Sequence, residues 1–413
     1  MSHRLCLRIY ALLVAFLFWG GVLNSFAEEA KARERVVEVE SGEGRVSLQQ
    51  VNRQFAAAVV VPTYQAMVEK TSRLVQASHA FEQSPNDETL EAFERALLEA
   101  RLAWAKGSAF EFGPVHSLGY GVAIDAPIDE TGLDRVWSRL ETVDGASVEN
   151  AGSLPTALNA AQPALGGLGA IAYLLTTDSA DNLLEATESN AVEDRFSWAQ
   201  RRHVRDLTES VHTAASRLLS VWQVGWSGYS SYSSTLASAG GVNNAAYLSV
   251  QSGTEEIIRG LINSLDVLVG EVLPELAETA EELEMAVDAT DIQLVESAVR
   301  GAQLAYQSYE MDSPARLSEV QARGLYTTRS TGLSAVVSSV DVREDQQIRK
   351  SFETAIEQLS MASDLSREYS FEDQDEISIT EGASVVSALR SAESSLAMVQ
   401  QLLTESVLPL AQN

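Results

Sequence analysis

The sequence has a single cysteine, Cys6, in 413 residues. Because this cysteine lies at the N-terminus, the rest of the chain can form no disulfide, no thiolate nucleophile and no cysteine-ligated zinc or iron–sulfur site. Basic residues are also scarce: 29 Lys and Arg stand against 58 Asp and Glu, which gives a net charge of −29. Such a charge repels nucleic-acid phosphate, so we expect no nucleic-acid partner.

Common catalytic signatures are missing as well. The sequence contains no HExxH, no G-x-S-x-G and no P-loop, which are the motifs of many zinc peptidases, serine hydrolases and nucleotide-binding proteins. Residues 167–172 formally fit the dinucleotide fingerprint G-x-G-x-x-A, but the segment before them is interrupted by Pro155 and Pro163. That fingerprint requires a preceding β-strand. We therefore predict no catalytic residue and no cofactor.

Long apolar runs are confined to the N-terminus. Arg4 and Arg8 precede an apolar run over residues 9–19, and Ser25 and Ala27 provide the small residues that signal peptidase accepts. This pattern predicts a signal peptide over residues 1–27, followed by a flexible charged segment over 28–44. A membrane anchor is the alternative, but the run is short for a bilayer span. We expect a periplasmic protein without a later transmembrane segment, either free or peripheral at the outer membrane.

Helical periodicity dominates the remainder. After Asn86, apolar residues recur at spacings of three and four, and Asp341 with Glu344 resembles a capping box. Similar apolar stripes run through residues 46–83, 193–223, 243–285, 291–310, 315–330 and 385–403. Strand-like alternation is nearly absent, which predicts an all-α fold.

One change in composition divides the chain. Residues 226–242 are rich in Ser and Gly, and they lie between helical segments of similar total length. We interpret them as a linker between an N-terminal helical bundle over 45–225 and a C-terminal bundle over 243–413.

The stretch over residues 110–137 is the first candidate for a site. It breaks a helix at Gly113-Pro114 and then runs through a non-periodic segment that contains His116, Tyr120, Asp125 and Asp129. Loops on rigid scaffolds often carry functional groups. The alternative for Asp129 is a structural role as the cap of the next helix, which begins near Glu130.

Several of these stretches together resemble the imelysin-like family, whose members are described as insulin-cleaving metallopeptidase-like or iron-regulated periplasmic proteins. The stretches that carry the resemblance are Val61-Pro62-x-Tyr64, Ala100-Arg101 with Trp104, Phe110-x-Phe112-Gly113-Pro114, Asp125-x-Pro127-x-Asp129 and Gly167-x-x-Ala170. The resemblance covers most of the chain after the leader. It implies two up-and-down helical bundles with a cleft between them.

The chain departs from this family at its hallmark motif, GxHxxE. The resemblance places the histidine of that motif at Gly169 and the glutamate at Ala172, and a further family glutamate at Ser108. Glycine and alanine side chains offer no donor atoms to a metal ion. We therefore predict that the family's metal site is lost. The residues that replace the metal ligands either form a pocket for another ligand or mark a site that has lost its function.

The resemblance brings nine residues to the predicted cleft as ligand-binding candidates, none of them catalytic or metal-ligating. They are Ser108, Glu111, His116, Asp125, Asp129, Gly167, Gly169, Ala172 and Tyr173. Ser108 and Tyr173 are the expected hydrogen-bond donors.

Three functions stay open. The favoured one is a non-enzymatic binding or accessory protein of the cell envelope, allied to iron uptake, with a small ligand or an envelope protein as its partner. The second is a metal binder or metallopeptidase that uses substitute ligands such as Glu111, His116, Asp125 and Asp129. The third is a structural module that docks to a partner and whose cleft is filled.

Overall fold

The computed structural model describes residues 47–141, 163–182, 195–283, 287–308, 332–371 and 379–412. The predicted signal peptide over 1–27, the segment over 28–44 and the apolar stripe over 315–330 lie outside the described residues.

Within these ranges the protein is built from helices, and the prediction of an all-α fold is confirmed. The helices of residues 47–225 are α1 (Leu48–Gln54, Phe55–Val60 and Val61–Gln83), α2 (Asp87–Ala105), α3 (Pro114–Ser117), α4 (Tyr120–Ile124), α5 (Glu130–Glu141), α6 (Gly167–Asn182) and α7 (Trp198–Gln223). Those of the remaining chain are α8 (Tyr232–Ala237), α9 (Val250–Val267, Leu268–Val272 and Leu273–Leu283), α10 (Ala289–Gln307), α11 (Leu333–Val340), α12 (Val342–Phe371) and α13 (Ile379–Leu402, Leu403–Val407 and Leu408–Gln412).

Side-chain caps fix the helix starts that the sequence predicts. The Asn86 side chain accepts a hydrogen bond from the Thr89 amide at 3.0 Å and begins α2. Asp341 Oδ1 accepts from the amides of Arg343 and Glu344 at 2.8 and 3.2 Å, at the start of α12. Each cap satisfies amides that have no partner within the first helical turn.

Three long helices contain a π-helical turn, and each of these turns is followed by a proline. The turns are Phe55–Val60 in α1, Leu268–Val272 in α9 and Leu403–Val407 in α13. Pro62, Pro274 and Pro409 follow them two residues later. Proline has no N–H, and its ring crowds the carbonyl four residues earlier. In all three helices that carbonyl belongs to the π turn, so the wider turn gives the ring room without ending the helix.

The chain before and after residues 226–242 packs into one hydrophobic core. Buried polar contacts cross between the two parts. Thr254 donates to the side chain of Asn52 at 2.7 Å, and Ser108 Oγ lies 3.1 Å from Ser264 Oγ. On the same boundary, Ser297 donates to the Leu102 carbonyl at 2.8 Å. We call residues 47–225 the first half and 243–412 the second half.

The segment predicted to be a linker contains regular structure. Residues 226–242 include the six-residue helix α8 and a tight turn in which the Tyr229 amide donates to the Trp226 carbonyl at 2.9 Å. Among the described helices, none combines the length and the apolar character that a membrane span requires.

Substitution of Gly301 by alanine tests the packing between the halves. A Cβ at Gly301 of α10 would lie 1.9 Å from the Lys106 carbonyl oxygen at the end of α2. Because this neighbour is backbone, we expect Gly301→Ala to lower the free energy of unfolding by about 1–3 kcal/mol or more. Urea unfolding followed by circular dichroism measures it.

Gly270 provides the matched control, since it is an exposed helical glycine with no atom within 4 Å of an added Cβ. Gly270→Ala should leave stability unchanged or raise it by about 0.5–1 kcal/mol. Equal effects of the two substitutions would contradict the tight packing of α10 on α2.

Candidate functional site

The candidate site lies in the first half, where the chain leaves α2 and turns through α3 and α4 before α5. A glycine makes this path possible. Gly113 has φ = 56°, a conformation that favours glycine, and an added Cβ would lie 2.4 Å from Cζ of Tyr232. Glycine therefore allows the backbone to turn into α3 two residues after Glu111.

A hydrogen bond between Asp125 and Gly169 is the centre of the site. Asp125 directly follows α4 and is 1% exposed, and its Oδ1 accepts the Gly169 amide at 2.8 Å. Gly169 is the third residue of α6, so its amide is one of the donors that the helix itself leaves unsatisfied. The positive end of the helix dipole also favours a carboxylate there. Asp125 thus caps α6 from a distant part of the chain.

Small residues at the start of α6 allow this approach. Gly167 has φ = 89°, and a Cβ there would lie 2.8 Å from the Ile124 carbonyl oxygen. A Cβ at Gly169 would lie 3.1 Å from Asp125 Oδ1 and 3.4 Å from Cγ2 of Ile128. Gly169 is therefore closely surrounded, and a side chain at this position would point at the Asp125 carboxylate.

Two carboxyl groups of this site, those of Glu111 and Asp125, interact electrostatically. Burial, together with the charge of Asp125, raises the pKa of Glu111 to about 8. The pKa of Asp125 is raised to about 7, because burial raises it by more than the Gly169 hydrogen bond and the Arg101 charge lower it. Charge on either carboxyl penalises charge on the other, so protons remain in the pair near neutral pH.

The second oxygen of Asp125 distinguishes this carboxyl from a simple cap. Among the described residues, Asp125 Oδ2 is buried and has no hydrogen-bond partner. A buried acceptor without a partner costs free energy. The site therefore presents one acceptor that a hydrogen-bond donor from outside the described chain can satisfy.

The other predicted site residues have partners of their own. Asp129 accepts the Gly132 amide at 3.0 Å at the start of α5, as expected for a helix cap. The Tyr173 hydroxyl donates to Asp134 at 2.8 Å, and Ser108 bonds to Ser264 of the second half.

His116 lies at the surface on the four-residue helix α3. Partial burial lowers its pKa, and a hydrogen bond with the backbone of Glu111 opposes that effect. Ala172 is half-buried on α6 and contributes only a methyl group.

The structure thus brings together Glu111, Asp125, Gly167 and Gly169 around the start of α6. Sequence reasoning did not assign Arg101 to the site, although this buried cation acts on Asp125 and is 6% exposed. One feature of the sequence could have indicated this role. Arg101 lies in the apolar stripe of α2, and a charged residue buried there needs a polar environment.

These residues do not fit a bound metal ion. Within the described ranges, no group of three or more His, Cys, Asp or Glu side chains is arranged to hold one. Positions 169 and 172 have no donor atoms, and Asp125 Oδ1 is already bonded to an amide. A stable transition-metal site needs several converging ligands.

An open groove of about 540 Å³ lies elsewhere in the first half. It is lined by Glu82, Gln83, Pro85, Trp198 and Arg201. None of the nine predicted residues lines this groove, so it is separate from the candidate site.

Comparisons with known proteins relate this chain to imelysin and to an iron-regulated protein. The family model described as Imelysin, of the peptidase M75 type, matches residues 60–396. Iron-regulated protein A of Synechococcus elongatus is 30% identical over 228 residues, which is 55% of this chain and 54% of that protein. The alignment therefore spans about half the length of this curated relative.

Two solved structures are similar in fold. An iron-regulated protein A precursor from Parabacteroides distasonis has a TM-score of 0.60 at 15% identity, covering 88% of this chain and 97% of its own. An imelysin-like protein from Psychrobacter arcticum has a TM-score of 0.50 at 12% identity, covering 89% and 98%. At these identities the likeness concerns the fold alone.

The raised pKa of Glu111 predicts a pH dependence of stability. Because the pKa of Glu111 is higher in the folded state than in the unfolded state, its contribution to stability is complete below about pH 4.5 and is lost as the pH rises through about 8. The slope has an upper limit of about 1.4 kcal/mol per pH unit for one proton. Urea midpoints measured across this window should show wild type losing stability relative to Glu111→Gln as the pH rises.

Glu91→Gln is the control, because Glu91 is an exposed carboxyl of the same half, in an ion pair with Arg95. For Glu91→Gln, the plot of urea midpoint against pH should run parallel to that of wild type. A Glu111→Gln curve that is also parallel would show that Glu111 titrates normally.

Proposed function

This chain belongs to the imelysin family, and we propose that it is a non-enzymatic binding or accessory protein of the cell envelope that has lost the family's metal site. In this proposal the protein takes part in iron uptake, and its chain forms two helical bundles joined by residues 226–242. The candidate site lies in the first bundle.

One observation carries the proposed loss of the metal site. Asp125 Oδ1 accepts the Gly169 amide at the position where the resemblance places the metal-binding imidazole. The carboxylate therefore serves the helix start instead of an ion. The Gly169 amide and the charge of Arg101 both stabilise the ionised form of this carboxyl without an ion.

The unpartnered Asp125 Oδ2 supports binding over simple decay. The charge of Asp125 acts on Glu111, whose raised pKa keeps a proton available near neutral pH. An acceptor and a protonated carboxyl in one site suit a small ligand with its own donor and acceptor, held by hydrogen bonds. Hydrolysis has less support, because His116 is at the surface and Asp129 is engaged as a cap.

The relation to iron and the location rest on relatives and on the sequence. The relatives' printed names describe iron-regulated proteins, and the leader over 1–27 is of the exported type. In this proposal the protein acts in the periplasm with iron-uptake components as partners. Its net charge of −29 favours neutral or cationic partners.

A second candidate, a structural module with a filled cleft, is favoured by the close surroundings of Gly169. A larger residue there distinguishes the two. In a filled core, Gly169→Leu costs stability and leaves partner binding of the folded protein intact, whereas in a ligand site it also removes ligand binding.

Metal titration tests the proposal most simply. We expect the purified protein to carry no stoichiometric metal by mass spectrometry and to bind zinc or ferrous iron by calorimetry no more tightly than about 0.1 mM, an affinity of about 5–6 kcal/mol. The reason is that positions 169 and 172 lack ligand atoms. A family member that retains GxHxxE serves as the positive control.

Stoichiometric binding at micromolar or lower concentration that disappears in both Glu111→Gln and Asp125→Asn would contradict the proposal. It would instead assign the site to the metal binder with substitute ligands. Binding that survives both substitutions would place an ion elsewhere in the chain and leave this site without one.

A further inference from the structure

The distribution of charge along the chain has one large gap. Residues 218–254 form a stretch of 37 residues without a single Asp, Glu, Lys, Arg or His. In a chain in which 21% of residues are charged, about eight would be expected there. The whole net charge of −29 is therefore carried by the remainder.

Part of this stretch lies outside the long helices and exposes apolar side chains. We call residues 224–249 the uncharged lobe. Ten large hydrophobic residues are exposed in the described chain, and five of them belong to this lobe of 26 residues. They are Val224 at 76%, Trp226 at 52%, Tyr229 at 74%, Val242 at 105% and Leu248 at 86%.

Local backbone geometry presents the two aromatic residues together. Ser227 and Gly228 have φ of 50° and 87°, the positive pair that a type I′ turn requires. The turn places the rings of Trp226 and Tyr229 side by side, with centroids 6.4 Å apart and planes inclined by 8°. The pair flanks the tip of a short, tight turn of the chain.

The lobe is anchored to the protein. The Tyr232 ring packs on Trp222 at 4.9 Å, and its hydroxyl lies 2.6 Å from that of Tyr247. Asn244 donates to the Thr235 carbonyl at 2.6 Å, which ties the loop after α8 to that helix. The exposed residues are thus held on a supported surface.

We propose that the uncharged lobe docks on an electrically neutral lipid surface, with Trp226 and Tyr229 inserted among the headgroups. Tryptophan and tyrosine have an apolar body and one polar group, which suits the boundary between lipid and water. The lobe has no charge to desolvate on insertion. Its five exposed apolar residues lie on turns and loops, so each side chain can insert separately into the headgroup region of a lipid surface.

The net charge of the protein disfavours two other binding partners for the uncharged lobe, a second copy of the chain and an anionic lipid surface. A second copy docked through the same lobe would bring together two bodies that each carry a charge of −29. An anionic lipid surface is disfavoured for the same reason. A neutral lipid surface is the occupant that permits contact through the lobe without this repulsion.

Vesicle sedimentation tests this proposal, with all proteins prepared without residues 1–27 so that the apolar leader contributes nothing. The probe is phosphatidylcholine vesicles, and the variant is Trp226→Ser with Tyr229→Ser. We expect wild type to partition onto the vesicles independently of salt and the variant to lose at least about tenfold in partition coefficient. Vesicles rich in phosphatidylglycerol should bind less wild type at low salt than at high salt.

Val340→Ser with Val342→Ser is the matched control, since these valines are 67% and 54% exposed in the second half. The control should bind like wild type, and circular dichroism should show both double variants folded. The proposal is overturned if wild type does not bind phosphatidylcholine, or if the lobe variant binds as wild type does. A concentration-dependent dimer that the lobe variant abolishes, without vesicle binding by wild type, would assign the lobe to a second copy.

Discussion

The hydrogen bond from the Gly169 amide to Asp125 joins two parts of the chain that are 44 residues apart. Asp125 directly follows α4, and Gly169 lies in the first turn of α6, so this contact fixes where the loop meets the helix. A buried carboxylate is tolerated only when donors or cations compensate its lost hydration. Here the first turn of α6 and Arg101 supply that compensation. The glycines at 167 and 169 follow from the same contact, because larger residues would hold the loop away.

The second half supports this arrangement from outside. Ser108, three residues before Glu111, bonds to Ser264 of α9. The Tyr232 ring occupies the space beside Gly113, where the loop reverses. Both contacts bracket Glu111, so the position of this carboxyl depends on the packing of the two halves and on the lobe. The chain therefore behaves as one packed structure at the site, although its sequence divides into two parts.

Much of the fold follows from the sequence because its signals are local. Spacings of three and four, the Asn86 cap and the Asp341 cap depend only on near neighbours along the chain. The site depends on distant neighbours. Asp129 caps the helix that follows it, which is the structural alternative that the sequence offers, whereas Asp125 caps α6 across the fold. No spacing rule predicts the role of Asp125, since the return of the chain at Gly167 brings its partner to it.

The same limit explains two further outcomes. Arg101 occupies an apolar position of α2, and its charge acts on Asp125, which comes from a different part of the chain. The Ser- and Gly-rich composition of residues 226–242 is typical of a linker, but tyrosine hydroxyls and backbone contacts organise the segment. In both cases the decisive partner comes from another part of the chain.

Asp125 is buried and bonded to the start of α6, and its pKa is raised to about 7. The most direct test is the amide resonance of Gly169, followed against pH by NMR in protein labelled with nitrogen-15 glycine. We expect a transition of this resonance with a midpoint near pH 7, absent in Asp125→Asn. A resonance that stays constant from about pH 5 to 9, or that moves only near the ordinary aspartate pKa of about 3.9, would contradict it.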